Sequence, residues 1–140
     1  MHTIGAFAII DKGGKVLLCH RTDGDACNLP GGRVEARETP WAAVVREVEE
    51  EVGLLVKVIG AILCEGFANG IYSIPSRSDL VFTFRFRCEV VGGSLHTTEE
   101  ADDIQWYLPS ELPINTFSSH VERIHDAYAG HSAVLLKTQD

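Results

Sequence analysis

The stretch Gly31-Gly32-Arg33-Val34-Glu35-Ala36-Arg37-Glu38-Thr39-Pro40-Trp41-Ala42-Ala43-Val44-Val45-Arg46-Glu47-Val48-Glu49-Glu50-Glu51-Val52-Gly53-Leu54 decides the fold. Its second half predicts a helix over residues 39–52. Thr39 is placed to cap it, and Pro40 suits the first helical position, where a missing N–H is no loss. Gly53 suits the stop, because glycine adopts the left-handed conformation without a Cβ penalty. At ~100° per residue, Trp41, Val44, Val45, Val48 and Val52 share one arc, the expected core face. Glu47, Glu50 and Glu51 share the neighbouring arc, and Glu49 points to solvent.

The acidic arc works against an isolated helix. Like charges three and four residues apart cost ~0.2–0.5 kcal/mol per pair. They also crowd the C-terminal end, where the macrodipole favours cations by ~0.3–1 kcal/mol each. A solvated face accounts for Glu49 but gives no reason for the other three. A bound divalent cation removes the conflict, because hard cations prefer carboxylate oxygens. No D-x-D-x-D-G loop is present, so this is not an EF-hand. Upstream, Pro30-Gly31-Gly32 lets backbone approach a ligand closely, although turn chemistry alone also accounts for it. Glu38 and Arg46 bracket the first turns, and an arginine there can orient carboxylates by bidentate pairing.

Around this segment, residues 4–10 and 16–19 are apolar runs joined by Asp11-Lys12-Gly13-Gly14-Lys15, a hairpin signature. Residues 54–63, 80–91 and 104–108 predict strands, and residues 64–79, with Pro75, read as irregular. Residues 118–129 predict a second helix stopped by Gly130, and the tail from His131 is left open. Strands around one internal helix with a late second helix predict an α/β domain spanning residues 1–140, a mixed sheet between helices.

The 140 residues carry 20 Asp and Glu against 12 Lys and Arg, a formal charge of −8. Tracking a nucleic-acid polymer by neutralising its phosphates needs the opposite balance, so neither a duplex nor an anionic membrane is expected as a partner. Any phosphate handled here calls for recruited cations. Cys19, Cys27, Cys64 and Cys88 form no C-x-x-C pair, which argues against a zinc site or a disulfide framework. The opening Met1-His2-Thr3-Ile4 shows no signal-peptide pattern, and the apolar runs are too short to span a bilayer. A reduced, cytoplasmic protein is the expectation.

Gly32, five residues, Glu38, seven residues, then Arg46-Glu47-Val48-Glu49-Glu50-Glu51-Val52-Gly53-Leu54 resembles the complete Nudix box, G-x5-E-x7-R-E-U-x-E-E-x-G-U, with U a bulky aliphatic. All nine defined positions are filled over 23 residues. The hairpin before the box and the late Trp106-Tyr107-Leu108-Pro109 run agree more loosely. The resemblance implies a Nudix-type α-β-α sandwich. It further implies hydrolysis of a nucleoside diphosphate linked to another group X, with Mg²⁺, or Mn²⁺ in its place, and water.

Carried over by position, the resemblance makes Glu50 and Glu51 principal metal ligands and Glu47 a further ligand or the base that activates water. Gly31 offers its carbonyl to the metal, and Glu38 and Arg46 orient the carboxylates. Arg21, Gly31, Gly32 and Arg33 are the expected substrate contacts. A further acid from a later loop is common in the family. Glu99 and Glu100 are the candidates, with Asp102 and Asp103 behind them; a merely solvated acidic turn is an equal alternative, and Glu100 is the one carried forward.

Other residues have bland alternatives. His20 and Arg21 follow a strand and could reach a phosphate or simply be solvated. His2, His96, His120, His125 and His131 share no ligand spacing. Cys19, Cys64 and Cys88 read as core, and Cys27 as a neighbour of the site. Arg85 and Arg87 share a strand face and, with Arg77, either meet substrate or face solvent. Phe67, Tyr72 or Phe82 could stack on a base or fill the core.

The expected substrate is a small nucleotide-type molecule, first a (deoxy)nucleoside triphosphate, oxidised forms included, giving a monophosphate and pyrophosphate. ADP-ribose or a nucleotide sugar is the alternative. From another class, a nucleotide-binding sensor without turnover stays open, although Glu47, Glu50 and Glu51 are all present. An acidic protein-interaction module gives no reason for Gly32, Glu38 and Gly53. A homodimer is left open by the resemblance.

Overall fold

The computed structural model describes residues 3–59, 69–76, 80–131 and 133–139. In chain order the elements are β1 (Thr3–Lys12), β2 (Lys15–Arg21), β3 (Cys27–Asn28), β4 (Gly31–Arg33), α1 (Pro40–Val52), β5 (Leu54–Val58) and β6 (Gly70–Ser73). They continue with β7 (Leu80–Gly93), β8 (Ala101–Tyr107), α2 (Ser118–Ala127) and β9 (Leu135–Thr138).

Strand β1 is the hub of a mixed sheet. It pairs antiparallel with β2 through the expected hairpin and with β4, and parallel with β7. Strand β2 carries β3 and β8, while β7 carries β5 and β6. Side chains alternate across the pleat, so a strand covered on both faces needs an unbroken apolar run. β1 and β2 show this directly. Ala8, Ile10, Leu17 and Cys19 pack in the core that includes Val44, Val48 and Val52 of α1. Their neighbours Ile9, Val16 and Leu18 pack on the opposite side with Leu29 and with Ile124 and Ala127 of α2. Two cores on two faces of one sheet make the α-β-α sandwich.

The ends of α1 form as their sequence dictates. The Thr39 side chain accepts the Ala42 N–H at 3.1 Å, and Pro40 occupies the first turn. Gly53 sits at φ 82°, and its N–H donates to the Glu49 carbonyl.

The buried face of α1 differs from the apolar arc. Val44, Val48 and Val52 are buried as expected, but Trp41 is 57% exposed and Glu51 only 2%. The helix is turned toward Ala43 and Glu51, because Cys19, Arg21 and Gly31 offer partners to the Glu51 carboxylate there. Three further expectations are corrected. Residues 70–73, inside the stretch read as irregular, form β6, which pairs with β7 and in parallel with β9 of the open-ended tail. The first strand after α1 ends at Val58, and what was expected of residues 60–63 lies outside the described residues. Helix α2 stops at Ala127, two residues short, with Tyr128 as its C-cap. Among the described residues no helix is long and apolar enough to cross a membrane.

Candidate active site

Strand β4, the inner face of α1 at Glu47 and Glu51, the loop from β2 to β3, Glu100 just before β8 and the first turn of α2 line a cleft of about 1140 Å³. Two glycines let its floor close up. Gly31 has φ 152°, and a Cβ there would collide with the backbone of Ala6 and Phe7. A Cβ on Gly32 would stand 2.7 Å from the Glu47 carboxylate. The cleft is thus shaped around Glu47 by the absence of a side chain.

Arg46 organises the acids. Its Nε and Nη2 donate to the two Glu38 oxygens at 2.8 and 2.9 Å, and Nη2 also reaches the Arg33 carbonyl at 3.2 Å. Its Nη1 donates to Glu47 at 3.0 Å and Glu50 at 3.2 Å. These bonds, with the Glu35 N–H, hold the Glu38 pKa down to about 2. Burial pushes Glu47 the other way, above the ordinary carboxylate value, against the pull of Arg46.

Glu47 and Glu50 meet Glu100 from the loop before β8, each offering an oxygen within 4.8 Å of the others. Three hard oxygen donors at this spacing fit a divalent cation. Glu51 stands beside this cluster and is engaged differently. It accepts the Cys19 thiol at 3.3 Å and lies 3.7 Å from Arg21, and burial lifts its pKa to about 8. Gly31 lies in the cleft floor and donates its N–H to Glu51. Of the sequence-predicted residues, Arg21, Gly31, Gly32, Arg33, Glu47, Glu51 and Glu100 line the cleft; Glu50 joins it only through the cluster with Glu47 and Glu100, and Glu38 and Arg46 stand outside the lining. Arg21 also chelates Asp23 through two bonds of 3.0 Å.

Other candidates lie elsewhere. The His20 ring is held between Asp102 (2.7 Å) and Asp25 (3.3 Å). Tyr72 is fully buried, and Arg85, 1% exposed, donates to its hydroxyl, so neither is a free substrate contact. Phe82 lines a separate shallow groove with Ile71 and Leu136. Cys19, Cys27 and Cys88 are buried free thiols. The expectations for Cys64, Phe67 and Arg77 lie outside the described residues.

Two cleft residues escape sequence reasoning. Asn28 is buried, and its Oδ1 has no hydrogen-bond partner among the described residues. His120 is buried edge-to-face on Phe7, with ring centroids 4.8 Å apart. Its Nδ1 accepts the Leu29 N–H at 3.1 Å, so the ring proton resides on Nε2, and burial keeps the ring neutral. Nothing local marks either residue, since Leu29 and His120 are 91 positions apart.

The family model described as NUDIX domain matches residues 1–127. The chain belongs to the Nudix family of pyrophosphohydrolases. An ADP-ribose pyrophosphatase of Methanocaldococcus jannaschii is 37% identical over 123 residues, 84% of this chain and 68% of that protein. A Bacillus subtilis protein provisionally named 8-oxo-dGTP diphosphatase is 30% identical over 100% of this chain and 89% of its own length. The crystal structure of a UDP-X diphosphatase superposes with TM-score 0.78, covering 97% of this chain and 67% of that one at 23% identity, which speaks to the Nudix fold. The box read from the sequence and the fold agree.

Proposed function

We propose that this Nudix hydrolase cleaves the anhydride of a nucleoside diphosphate linked to X, first a nucleoside triphosphate such as 8-oxo-dGTP, giving a monophosphate and pyrophosphate. The observation that carries this is the meeting of Glu47, Glu50 and Glu100, two of which, Glu47 and Glu100, line the same cleft as Asn28 and His120.

A Mg²⁺ or Mn²⁺ ion held by Glu47, Glu50 and Glu100, with Glu51 and the Gly31 carbonyl beside them, would polarise a phosphoryl oxygen and acidify bound water. Glu47 takes the proton of the attacking water, and its burial, which raises its pKa by disfavouring the charged carboxylate, makes it a stronger proton acceptor. Water oxygen bonds to phosphorus as the P–O bond of the anhydride breaks, and the departing phosphate keeps the electron pair. Arg46, anchored by Glu38, keeps Glu47 and Glu50 aimed. Arg21 and Arg33 supply positive charge to the phosphates from the cleft wall. The buried Asn28 Oδ1 is an acceptor for a base N–H, and the His120 ring, in the same lining, offers an N–H donor.

ADP-ribose is the second reading, favoured by the 37% identical relative. A panel of triphosphates, 8-oxo-dGTP, ADP-ribose and nucleotide sugars with Mg²⁺ separates them. Pyrophosphate release from triphosphates supports the first reading, and AMP with ribose 5-phosphate from ADP-ribose the second. Tight nucleotide binding without turnover would make the protein a sensor.

A further inference from the structure

Glu100 reaches Glu47 and Glu50 from a loop, and one hydroxyl ties that loop to α1. Thr98 Oγ1 donates to the Glu51 carbonyl at 2.8 Å and accepts the backbone N–H groups of Glu100 (3.2 Å) and Ala101 (3.3 Å). The last carbonyls of a helix have no partner within it, and the final turn of α1 holds no basic side chain. The chain after β7 supplies the partners. Ser94 N–H bonds to the Gly53 carbonyl at 3.2 Å, His96 N–H to Val52 at 3.0 Å, and the Thr98 hydroxyl to Glu51. The segment that caps α1 thus runs straight into Glu100.

Both backbone groups of Glu100 are held. Its N–H goes to Thr98, and its carbonyl accepts the Thr22 N–H at 3.1 Å. Thr22 Oγ1 also donates to the Glu99 carbonyl at 2.6 Å, and Thr98 N–H closes the turn onto Ala101 at 2.9 Å. The three glutamates repel one another, so a slack loop would carry Glu100 away from the other two.

We propose that Thr98 is the positioning residue of the three-glutamate cluster, its hydroxyl setting the Glu100 carboxylate against Glu47 and Glu50 from the end of α1. This rests on reading those glutamates as a divalent-cation site. Removing the hydroxyl leaves the ligands intact but unsupported, and such supporting contacts change metal affinity by about 10–100-fold.

The test is Mn²⁺ binding without nucleotide, read from the EPR signal of free Mn²⁺, with thermal melting to confirm folding. Thr98→Val is expected to weaken Mn²⁺ about tenfold or more, and Thr98→Ser to restore it. In a Glu100→Gln background, Thr98→Val is expected to add little. Wild-type affinity in folded Thr98→Val overturns the inference, and so does an equal loss in the Glu100→Gln background. If Thr98→Val does not fold, Thr98→Ala, which removes the hydroxyl and adds no bulk, carries the same expectation. Absence of Mn²⁺ binding by the wild-type chain defeats the cation reading itself, a result distinct from unchanged affinity in the variant.

Discussion

Arg46 grips Glu38 with both arms of its guanidinium fork, Nε to Oε2 at 2.8 Å and Nη2 to Oε1 at 2.9 Å, leaving Nη1 for Glu47 and Glu50. A lysine cannot make this fork. Arg46→Lys is therefore expected to lower kcat by about tenfold, as loss of a supporting contact does, with a fall of a few degrees in melting temperature. Glu38→Gln is expected to act in the same direction. Steady-state kinetics and thermal melts check both, and an unchanged kcat in Arg46→Lys would remove the orienting role.

The two glycines make contrasting predictions. In Gly31→Ala the new methyl meets backbone at Ala6 and Phe7, so the protein is expected to lose several kcal/mol or fail to fold, the scale of overpacking plus strain of ~1–3 kcal/mol each. In Gly32→Ala it meets the mobile end of Glu47 at 2.7 Å, so the chain is expected to fold with kcat much reduced. Circular dichroism and turnover measured together separate the outcomes.

The turned face of α1 is testable by stability alone. Trp41→Ala is expected to fall within about 0.5 kcal/mol of wild type, because the side chain is mostly exposed. Val48→Ala, fully buried, is expected to cost about 2 kcal/mol. Urea denaturation ranks the pair, and the reverse order would restore the apolar arc as the buried face.

His120 gives a pH dependence. Burial, with Arg123 and Arg21 nearby, depresses its folded pKa well below the 6.5 of the unfolded chain. The unfolded state then binds the proton first, so this stability is present above pH 6.5 and is lost as pH falls below it. His120→Gln, which keeps an acceptor for the Leu29 N–H, is expected to flatten the slope of stability between pH 6.5 and 5. Denaturation curves at pH 5, 6 and 7.5 measure it, and parallel slopes in both proteins would contradict it.

Asn28→Leu removes an acceptor that is unpartnered among the described residues and leaves the carboxylates in place. It is expected to raise KM for the nucleotide about tenfold, the scale of one lost hydrogen bond of ~1.4 kcal/mol, while Mn²⁺ binding and kcat stay near wild type. A fall in kcat with constant KM would place Asn28 in the chemistry instead of in binding.

Local signals carry far, and what they miss has a common cause. The Thr39 and Gly53 caps, the glycine hairpin of β1 and β2 and the continuous apolar runs are short-range, so α1 and the sheet centre are legible from residues alone. Strands β6 and β9 are four residues each and exist because β7 and their mutual parallel pairing hold them. The orientation of α1 is set by polar partners for Glu51 on β2 and β4, which a helical wheel does not contain. Glu99 and Glu100 are equivalent in sequence, and the hydrogen bonds from Thr22 and Thr98 decide which one faces Glu47. Asn28 and His120 are polar residues whose burial depends on the packing of α2 over the sheet.

The central claim is that Glu47, Glu50 and Glu100 act as one centre. The most direct measurement is kcat with Mg²⁺ and a cleaved nucleotide for wild type, Glu50→Gln, Glu100→Gln and the double variant, with EDTA as the metal-free control. Groups acting as a unit show strongly non-additive losses. The expected result is a large loss in each single variant, little further loss in the double, and no turnover in EDTA. Near-wild-type turnover in both single variants, or full activity in EDTA, would contradict it.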